Sequence, residues 1–426
     1  MTGSGNAETT PAEVNTASVA RVTDLNPVSP ENLLNPIPFY KTLRETDPVH
    51  WSDVLHGWII TRHDDVMNCF RDSRMSANRI GILEYQTRDL GPDILQDFIA
   101  IIRKQMLMWD GPNHIRLRRQ SNPSFTPQAL DGWRPAIRRV MQMLLERVQH
   151  QDHMDLVPSI SYEMPPRVIA ELFGIPEHEH ELLLKWAEPI AEFGGLTVGM
   201  DVLTVARRAN TAMKEFAQYL VERVEERRQN PGNDLLSRML PALEQGTMTL
   251  DEAVANTILM LNAGHMTTTD QFSNAVHDLL THPDQFQLLR EDPRLLQSAV
   301  EESLRYHSAV PFHYRIAADN ISLRGRSIRK GDMIFLGIGA ANRDPEVFPN
   351  PDRFDITRDF AYQKHLTFSF GPHHCLGAGL ARRELEIALE MLFQQLPGLR
   401  LDEERPPQPK CQSLIFSGYT SLPVRW

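Results

Sequence analysis

The stretch FSFGPHHCLGAG, Phe368 to Gly379, carries one of only three cysteines in 426 residues, with two histidines before it and glycines on both sides. A thiol in this setting can be a buried structural residue, part of a zinc site, a catalytic nucleophile, or the single axial ligand of a metal that brings its other ligands with it. Zinc needs about four ligands, usually in closely spaced pairs. Cys375 has no cysteine nearby, and His373 and His374 lie too close to it for ordinary chelation. A nucleophile wants a base and an oxyanion hole, which the sequence neither points to nor excludes. The Gly-x-Gly at 377–379 lacks a preceding strand and a third glycine, so it gives little support to dinucleotide binding.

The axial-ligand reading fits the local physics best. Leu380, Ala381, Leu385, Ala388, Leu389 and Leu392 predict the apolar face of a helix that begins just after Cys375 and ends at Pro397-Gly398. The free N–H groups and positive end of such a helix favour a thiolate. Gly371 and Gly377 let the backbone fold around the sulfur and approach a flat ligand, and Pro372 stiffens the loop. Haem held by one cysteine thiolate needs this arrangement. Cys69 and Cys411 read as small buried hydrophobes.

Outward from this loop, the pattern is mainly helical. Ile137, Val140, Met141, Leu144, Leu145 and Val148 recur at helical steps; a second helix, with Val168, Ile169, Leu172 and Phe173, stops at Gly174; a third covers about 204–228. Leu250 to Thr281 is one unbroken helical pattern. Thr249 and Glu252 form a capping box at its start, and His282-Pro283 ends it. At 1.5 Å per residue it spans about 48 Å, so it is expected to run through the core. Strand character appears in VHWSDVLHGWIITR, a hairpin turning at Asp53 to Gly57, and in SLRGRSIRKGDMIFLG. The expected fold is mainly α with a smaller β-rich part drawn from both ends of the sequence, one unit over 21–426 preceded by a disordered segment, 1–20. EFGGLTVGM, a Gly-rich apolar connection, is placed as a mobile lid over 193–200.

The net charge of -11 and the absence of a basic tract argue against nucleic acid as a partner. Three widely separated cysteines do not make a disulfide framework, so a reducing compartment is the default. The first residues have neither a basic nor an apolar signal region, and no stretch reaches the roughly 18 apolar residues of a membrane span. A cytoplasmic protein without a membrane anchor is expected.

Phe368-x-x-Gly371-x-His373-x-Cys375-x-Gly377 resembles the haem-binding loop of the cytochrome P450 family. Further motifs follow in the family's order: HIRLRR with His114 and Arg118, EESLR with Glu302 and Arg305, HYRIA with Arg315, ANRDP at 341–345, FPNPDRFD with Arg353, and SGYTSLPVRW at the C-terminus. The likeness covers roughly residues 30–426. It implies the P450 fold with the long central helix over haem b, Cys375 as the axial thiolate, and His114, Arg118, Arg315 and His373 at the haem propionates. It also implies a buried structural triad of Glu302, Arg305 and Arg353.

The resemblance further implies a monooxygenase, hydroxylating or epoxidising a substrate in secondary metabolism. NAGHMTTTD places Ala263 and Gly264 beside the haem face and Thr267 where family members hydrogen-bond the bound oxygen. Met266 falls where the family often has an acid, and a thioether neither donates nor relays a proton. Either Met266 is packing and Thr267 with water delivers protons, which is the favoured reading, or the chemistry is atypical: aryl coupling, desaturation or peroxide-driven oxidation. A non-catalytic haem-thiolate sensor is the rival from another class. By resemblance the substrate pocket draws on Ile80, Ile82, Leu83, Ala263, Val310, Phe312, His313 and Phe416. These are mostly apolar and suit a medium-sized lipophilic molecule, free or tethered to a carrier protein. The sequence contains no flavin domain and no iron–sulfur cysteine cluster. Electrons are therefore expected from a ferredoxin and its reductase, with Arg116, Arg119, Arg382 and Arg383 as a basic docking face.

Overall fold

The computed structural model describes residues 25–91, 93–194 and 201–426. The segment 1–20, expected to be disordered, and residues 195–200 of the expected lid lie outside them. The strand-rich part is a five-stranded sheet. β1 (Val49–Ser52) and β2 (Gly57–Ile60) form the hairpin, and β3 (Met75–Ser76), β4 (Phe312–Ala317) and β5 (Met333–Gly337) complete it in the order β1-β2-β5-β4-β3. The β2–β5 pair is parallel, with Trp58 opposite Ile334; the β4–β5 pair is antiparallel, with Phe312 opposite Gly337. Strands from 49–76 and from 312–337 thus meet in one sheet, and Val49, Ile60, Ile334 and Leu336 of it cluster with Cys69 of the helix His63–Arg71.

The helices that position the site are α1 (His63–Arg71), α2 (Gly111–Ser121), α3 (Pro127–Val148), α4 (Met164–Leu172), α5 (Val202–Gln229), α6 (Leu250–Thr281), α7 (Leu296–Tyr306) and α8 (Ala378–Gln395). The long helix has the ends read from the sequence. The Thr249 side chain accepts from Glu252 N, and the Glu252 carboxylate accepts from Thr249 N. Such a cap contributes about 1 kcal/mol. α6 packs against α4, α5, α7 and α8, so it lies at the centre of the helical layer. Its Ile258, Leu261, Phe272, Val276 and Leu279 join the same apolar core as Leu144 of α3, Val168 of α4, Phe216 of α5 and Leu389 of α8. Cys69 is buried, as expected, whereas Cys411 is exposed.

The buried ion cluster differs from expectation in one residue. Arg305 Nε lies 2.7 Å from Glu302 Oε2, and both side chains are fully buried. The second arginine on Glu302 is Arg358, with Nε 3.2 Å from Oε1, rather than Arg353. The Arg353 side chain is exposed; its carbonyl accepts from Arg305 and from Arg358. The reason is local geometry. The chain turns at 350–353, and the carbonyls of Pro349, Asn350 and Arg353 converge on the Arg358 guanidinium, which turns that side chain inward. Arg358→Ala is expected to cost about 1–3 kcal/mol, because it strips a buried carboxylate and three carbonyls of a donor. Arg353→Ala is expected to stay within about 0.5 kcal/mol. Thermal unfolding of the two variants side by side checks this; equal losses would restore Arg353 to the cluster.

Candidate active site: a thiol facing the long helix

The loop before α8 is shaped by its own backbone. Ser369 and Gly371 adopt positive φ angles of 58° and 74°. Ser369 is held there by its N–H on the Leu366 carbonyl and its hydroxyl on the His373 carbonyl. A Cβ at Gly371 would lie 2.6 Å from the backbone oxygen of Phe70 in α1, so the position needs glycine for conformation and for space. Cys375 N–H then donates to the Phe368 carbonyl at 2.9 Å, which closes the loop and leaves the thiol at the head of α8, with Gly377 as N-cap.

The thiol opens into a cavity of about 310 Å³. One wall is α6, through Ala263, Gly264, Thr267, Thr268 and Gln271; the facing wall is Phe368, Cys375, Leu376 and Gly377. Ile169, Leu172 and Phe173 close one side, and Val310 and His313 another. A Cβ at Gly264 would press on Ile169 Cδ1 at 2.2 Å, so the absence of a side chain lets α4 close the cavity there. The Thr267 hydroxyl donates to the Ala263 carbonyl at 2.7 Å, which leaves its oxygen able to accept. Met266 is not among the lining residues.

Electrostatics set the thiol's state. Burial raises the Cys375 pKa, against the Gly377 and Ala378 N–H groups and the Arg118 and Arg382 charges that favour a thiolate. His114 lies ring to ring with His373 at 4.0 Å. Burial, His373 and Arg118 lower the His114 pKa to about 4. Burial works against the Asp110 charge, yet hydrogen bonds from His373, Ser76 and Ala77 N hold its pKa well below the carboxylate range. Arg315 is buried beside Arg79, and both guanidinium groups donate to the Tyr314 carbonyl. Burial, with the Arg79 charge next, lowers the Arg315 pKa to about 9.

Not all expected residues come together. His114, Arg118, Ala263, Gly264, Thr267, Val310, His313, Phe368, His373, Cys375 and Gly377 line the one cavity. Arg315 and Gly371 sit behind it. Phe312 points the other way, because successive strand residues alternate faces; it packs edge-on to Tyr40 at 5.8 Å. Phe416 joins Phe312 in a separate cleft of about 20 Å³. Ile80, Ile82 and Leu83 lie outside the lining, and Leu83 packs on the helical core. Ile169 and Phe173, read in the sequence only as a helix's apolar face, line the cavity, as do Leu259, Met260, Gln271 and Glu384. On the outer face Arg116 pairs with Glu252, Arg382 with Glu301 and Arg383 with Asp131, while Arg119 has no ion pair among the described residues.

A profile of the Cytochrome P450 family matches residues 89–417. The biotin biosynthesis cytochrome P450 of Bacillus subtilis (strain 168) is 36% identical over 375 residues, 88% of this chain and 92% of its own. The 6-deoxyerythronolide B hydroxylase of Saccharopolyspora erythraea is 33% identical over 395 residues, 91% of this chain and 95% of its own. Among solved structures, P450BioI, in complex with acyl carrier protein ligated to hexadec-9Z-enoic acid, superposes with a TM-score of 0.84 at 33% identity, covering 93% of this chain and all of its own. The chain belongs to the cytochrome P450 family. It is a cytochrome P450 monooxygenase, an oxidoreductase whose family cofactor is haem on an axial cysteine thiolate. No described helix is long and apolar enough to cross a membrane.

The residues present fit that cofactor. Among the described residues no cluster of three or more His, Cys, Asp and Glu could hold a metal by itself, so a metal here must bring most of its own ligands. Cys375 faces Ala263 and Gly264 across an apolar gap, and the buried cations Arg315 and Arg79 with half-buried Arg118 outnumber the one nearby carboxylate, Asp110, as two propionates would require. Gly371→Ala is expected to cost about 1–3 kcal/mol through strain at its positive φ and to weaken haem retention. Gly81→Ala, where a Cβ meets nothing within 4 Å, is expected to do neither. Thermal unfolding and haem transfer to an acceptor protein measure both; retention unchanged in Gly371→Ala would disconnect that loop position from the site.

Proposed function

We propose that this monooxygenase hydroxylates or epoxidises a medium-sized lipophilic substrate of secondary metabolism, free or carried on a protein, with electrons from a ferredoxin and its reductase. What supports this reading is one juxtaposition: Cys375 and the Ala263–Thr267 turn of α6 across a single, largely apolar cavity. In it Cys375 is the only protein ligand to iron, and His114, Arg118, Arg315 and His373 hold the cofactor carboxylates. Thr267 and water bring protons to the cavity. Bound there, the haem supplies dioxygen activation. The substrate lies between α4, α6 and the Val310–His313 segment, where burial together with Arg315, Arg79 and His373 keeps His313 neutral, its pKa lowered to about 3. The carrier-bound fatty acid of the P450BioI complex supports the tethered form of the substrate.

The wild-type holoprotein is expected to give a thiolate-type spectrum in its reduced carbon monoxide complex and a spectral shift with hexadec-9-enoic acid. Cys375→Ser should lose the thiolate signature, whereas Cys69→Ser and Cys411→Ser keep it. A signature that survives in Cys375→Ser sinks the assignment.

Of the four arginines of the docking face, Arg119 has no ion pair among the described residues, whereas Arg116 pairs with Glu252 and Arg383 with Asp131. Arg382 is committed to Glu301 at 2.6 and 2.9 Å and sits over the Phe368 ring, so its reversal would break the cysteine loop. Arg119 shares a helix face with exposed Ile115, four residues before it. Arg119→Glu with Arg383→Glu is expected to slow reduction by an acidic ferredoxin and flatten its salt dependence, with the lipid-induced shift unchanged. Stopped-flow reduction across ionic strengths reads this; identical kinetics would move the docking site elsewhere.

A further inference from the structure

Gln271 closes the polar stripe of α6, one turn beyond Thr267 on the same face, and is 3% exposed. An amide buried there costs stability unless its donor and its acceptor are both matched. Here they are. Nε2 donates to Ser303 Oγ of α7 and to the His307 carbonyl, each at 3.2 Å, and Oε1 accepts the Ala309 N–H at 3.0 Å.

Those partners frame one wall of the cavity. Residues 307–311 join α7 to β4 without belonging to either. Ala309 and Val310 line the cavity, whereas the next residues, Pro311 and Phe312, line the separate cleft of about 20 Å³ shared with Phe416. The wall is thus a single thickness of chain with incompletely filled space behind it, so packing alone does not fix its position. No sheet ladder does so either, because β4 begins only at Phe312. Hydrogen bonds hold it instead. The Ser417 N–H donates to the Ala309 carbonyl at 2.9 Å, the Gly339 N–H donates to the Pro311 carbonyl at 3.1 Å, and Asn274 shares the His307 carbonyl at 3.2 Å. Of these partners, Gln271 is the one that itself lines the cavity. Loss of its oxygen would leave the buried Ala309 N–H unmatched, and movement of the wall toward the cleft is the way to relieve that.

We propose that Gln271 sets how wide a substrate the cavity admits, by holding the Ala309–Val310 wall against α6. This deepens the lipophilic-substrate reading and rests on it. With the wall held, the space between α6 and Val310 suits a slim, unbranched chain. A ring at the same depth has to push the wall back and break the Ala309 bond. Gln271 acts through Ala309 and Val310, so it is a positioning residue for specificity.

Two fatty acids of similar length serve as probes, hexadec-9-enoic acid and an acid tipped with a cyclohexyl ring, each read by haem spectral shift in the holoprotein. Wild type is expected to bind the straight chain about ten-fold tighter. In Gln271→Met, which keeps the length of the side chain, that preference is expected to fall about five-fold while the reduced carbon monoxide spectrum stays intact. Val310→Ala widens the same space directly, so it is expected to change the preference less in Gln271→Met than in wild type. A residue that only supports the fold would weaken both acids alike and combine additively with Val310→Ala. Amide hydrogen exchange in the wild-type holoprotein reads the same hold without any substitution. The Ala309 N–H is expected to stay protected with the straight chain bound and to exchange faster with the ring-tipped acid bound. An unmoved preference in Gln271→Met, or equal Ala309 protection with both acids, overturns this inference alone. No wild-type shift with either acid overturns the lipophilic reading and this inference with it.

Discussion

A helix that crosses the whole core can offer one cavity only the stripe of its surface that turns that way every three or four residues. In α6 that stripe is Ala263 and Gly264, then Thr267 and Thr268, then Gln271. Much of the rest of the helix is buried in protein, and several of its polar side chains take fixed partners there. Asn256 receives the Met106 N–H and donates to the Lys104 carbonyl; Asp270 takes the Lys410 ammonium at 2.6 Å; Asn274 donates to the carbonyls of His307 and Ser417. These contacts tie an early loop, the end of α7 and the C-terminal segment to one helix. The position of the cavity ceiling is therefore shared by distant parts of the chain.

The floor is fixed by a different device. The cysteine loop owes its shape to two positive-φ residues, to Gly371 against Phe70, and to the Cys375 N–H on the Phe368 carbonyl. The Asn342 side chain ties the loop to the sheet side: its carbonyl oxygen accepts from Leu366 N, and its amide donates to the Thr367 hydroxyl. The buried Arg305 donates to the Asn342 carbonyl. Arg305 thus reaches the loop through Asn342, and the same helix α7 also holds it through the Thr367 hydroxyl on the Leu304 carbonyl.

How much of this the sequence carries depends on range. α6 was legible to the residue because both ends are marked by local chemistry, a capping box and a His-Pro stop. The cysteine loop was legible by residue type and spacing. The choice between Arg353 and Arg358 was not, since both lie in the same turn and only converging carbonyls decide which side chain goes inward. Phe312 was misplaced by one residue of strand parity. Its neighbour His313 faces the cavity, and nothing local says which face of β4 meets the helices. Glu384 had a signal that could have found it: a carboxylate at the centre of an apolar helical stripe, where a charge is out of place without a task or a partner.

The remaining wall chemistry bears on selectivity. Two polar side chains of the cavity wall are already engaged within the protein. Gln271 spends its amide on Ser303 and the His307 carbonyl and its oxygen on Ala309 N; the Thr367 hydroxyl donates to Leu304. A ligand entering this space meets Ile169, Leu172, Phe173 and Leu259. Recognition by such a wall is recognition of shape, and a single methylene then changes discrimination by only about 1–3 kcal/mol. Under the proposed function, such a site would accept related lipophilic skeletons and orient them weakly. Regioselectivity would then depend on how the far end of the substrate is held, and a carrier protein anchoring that end would supply what the wall lacks.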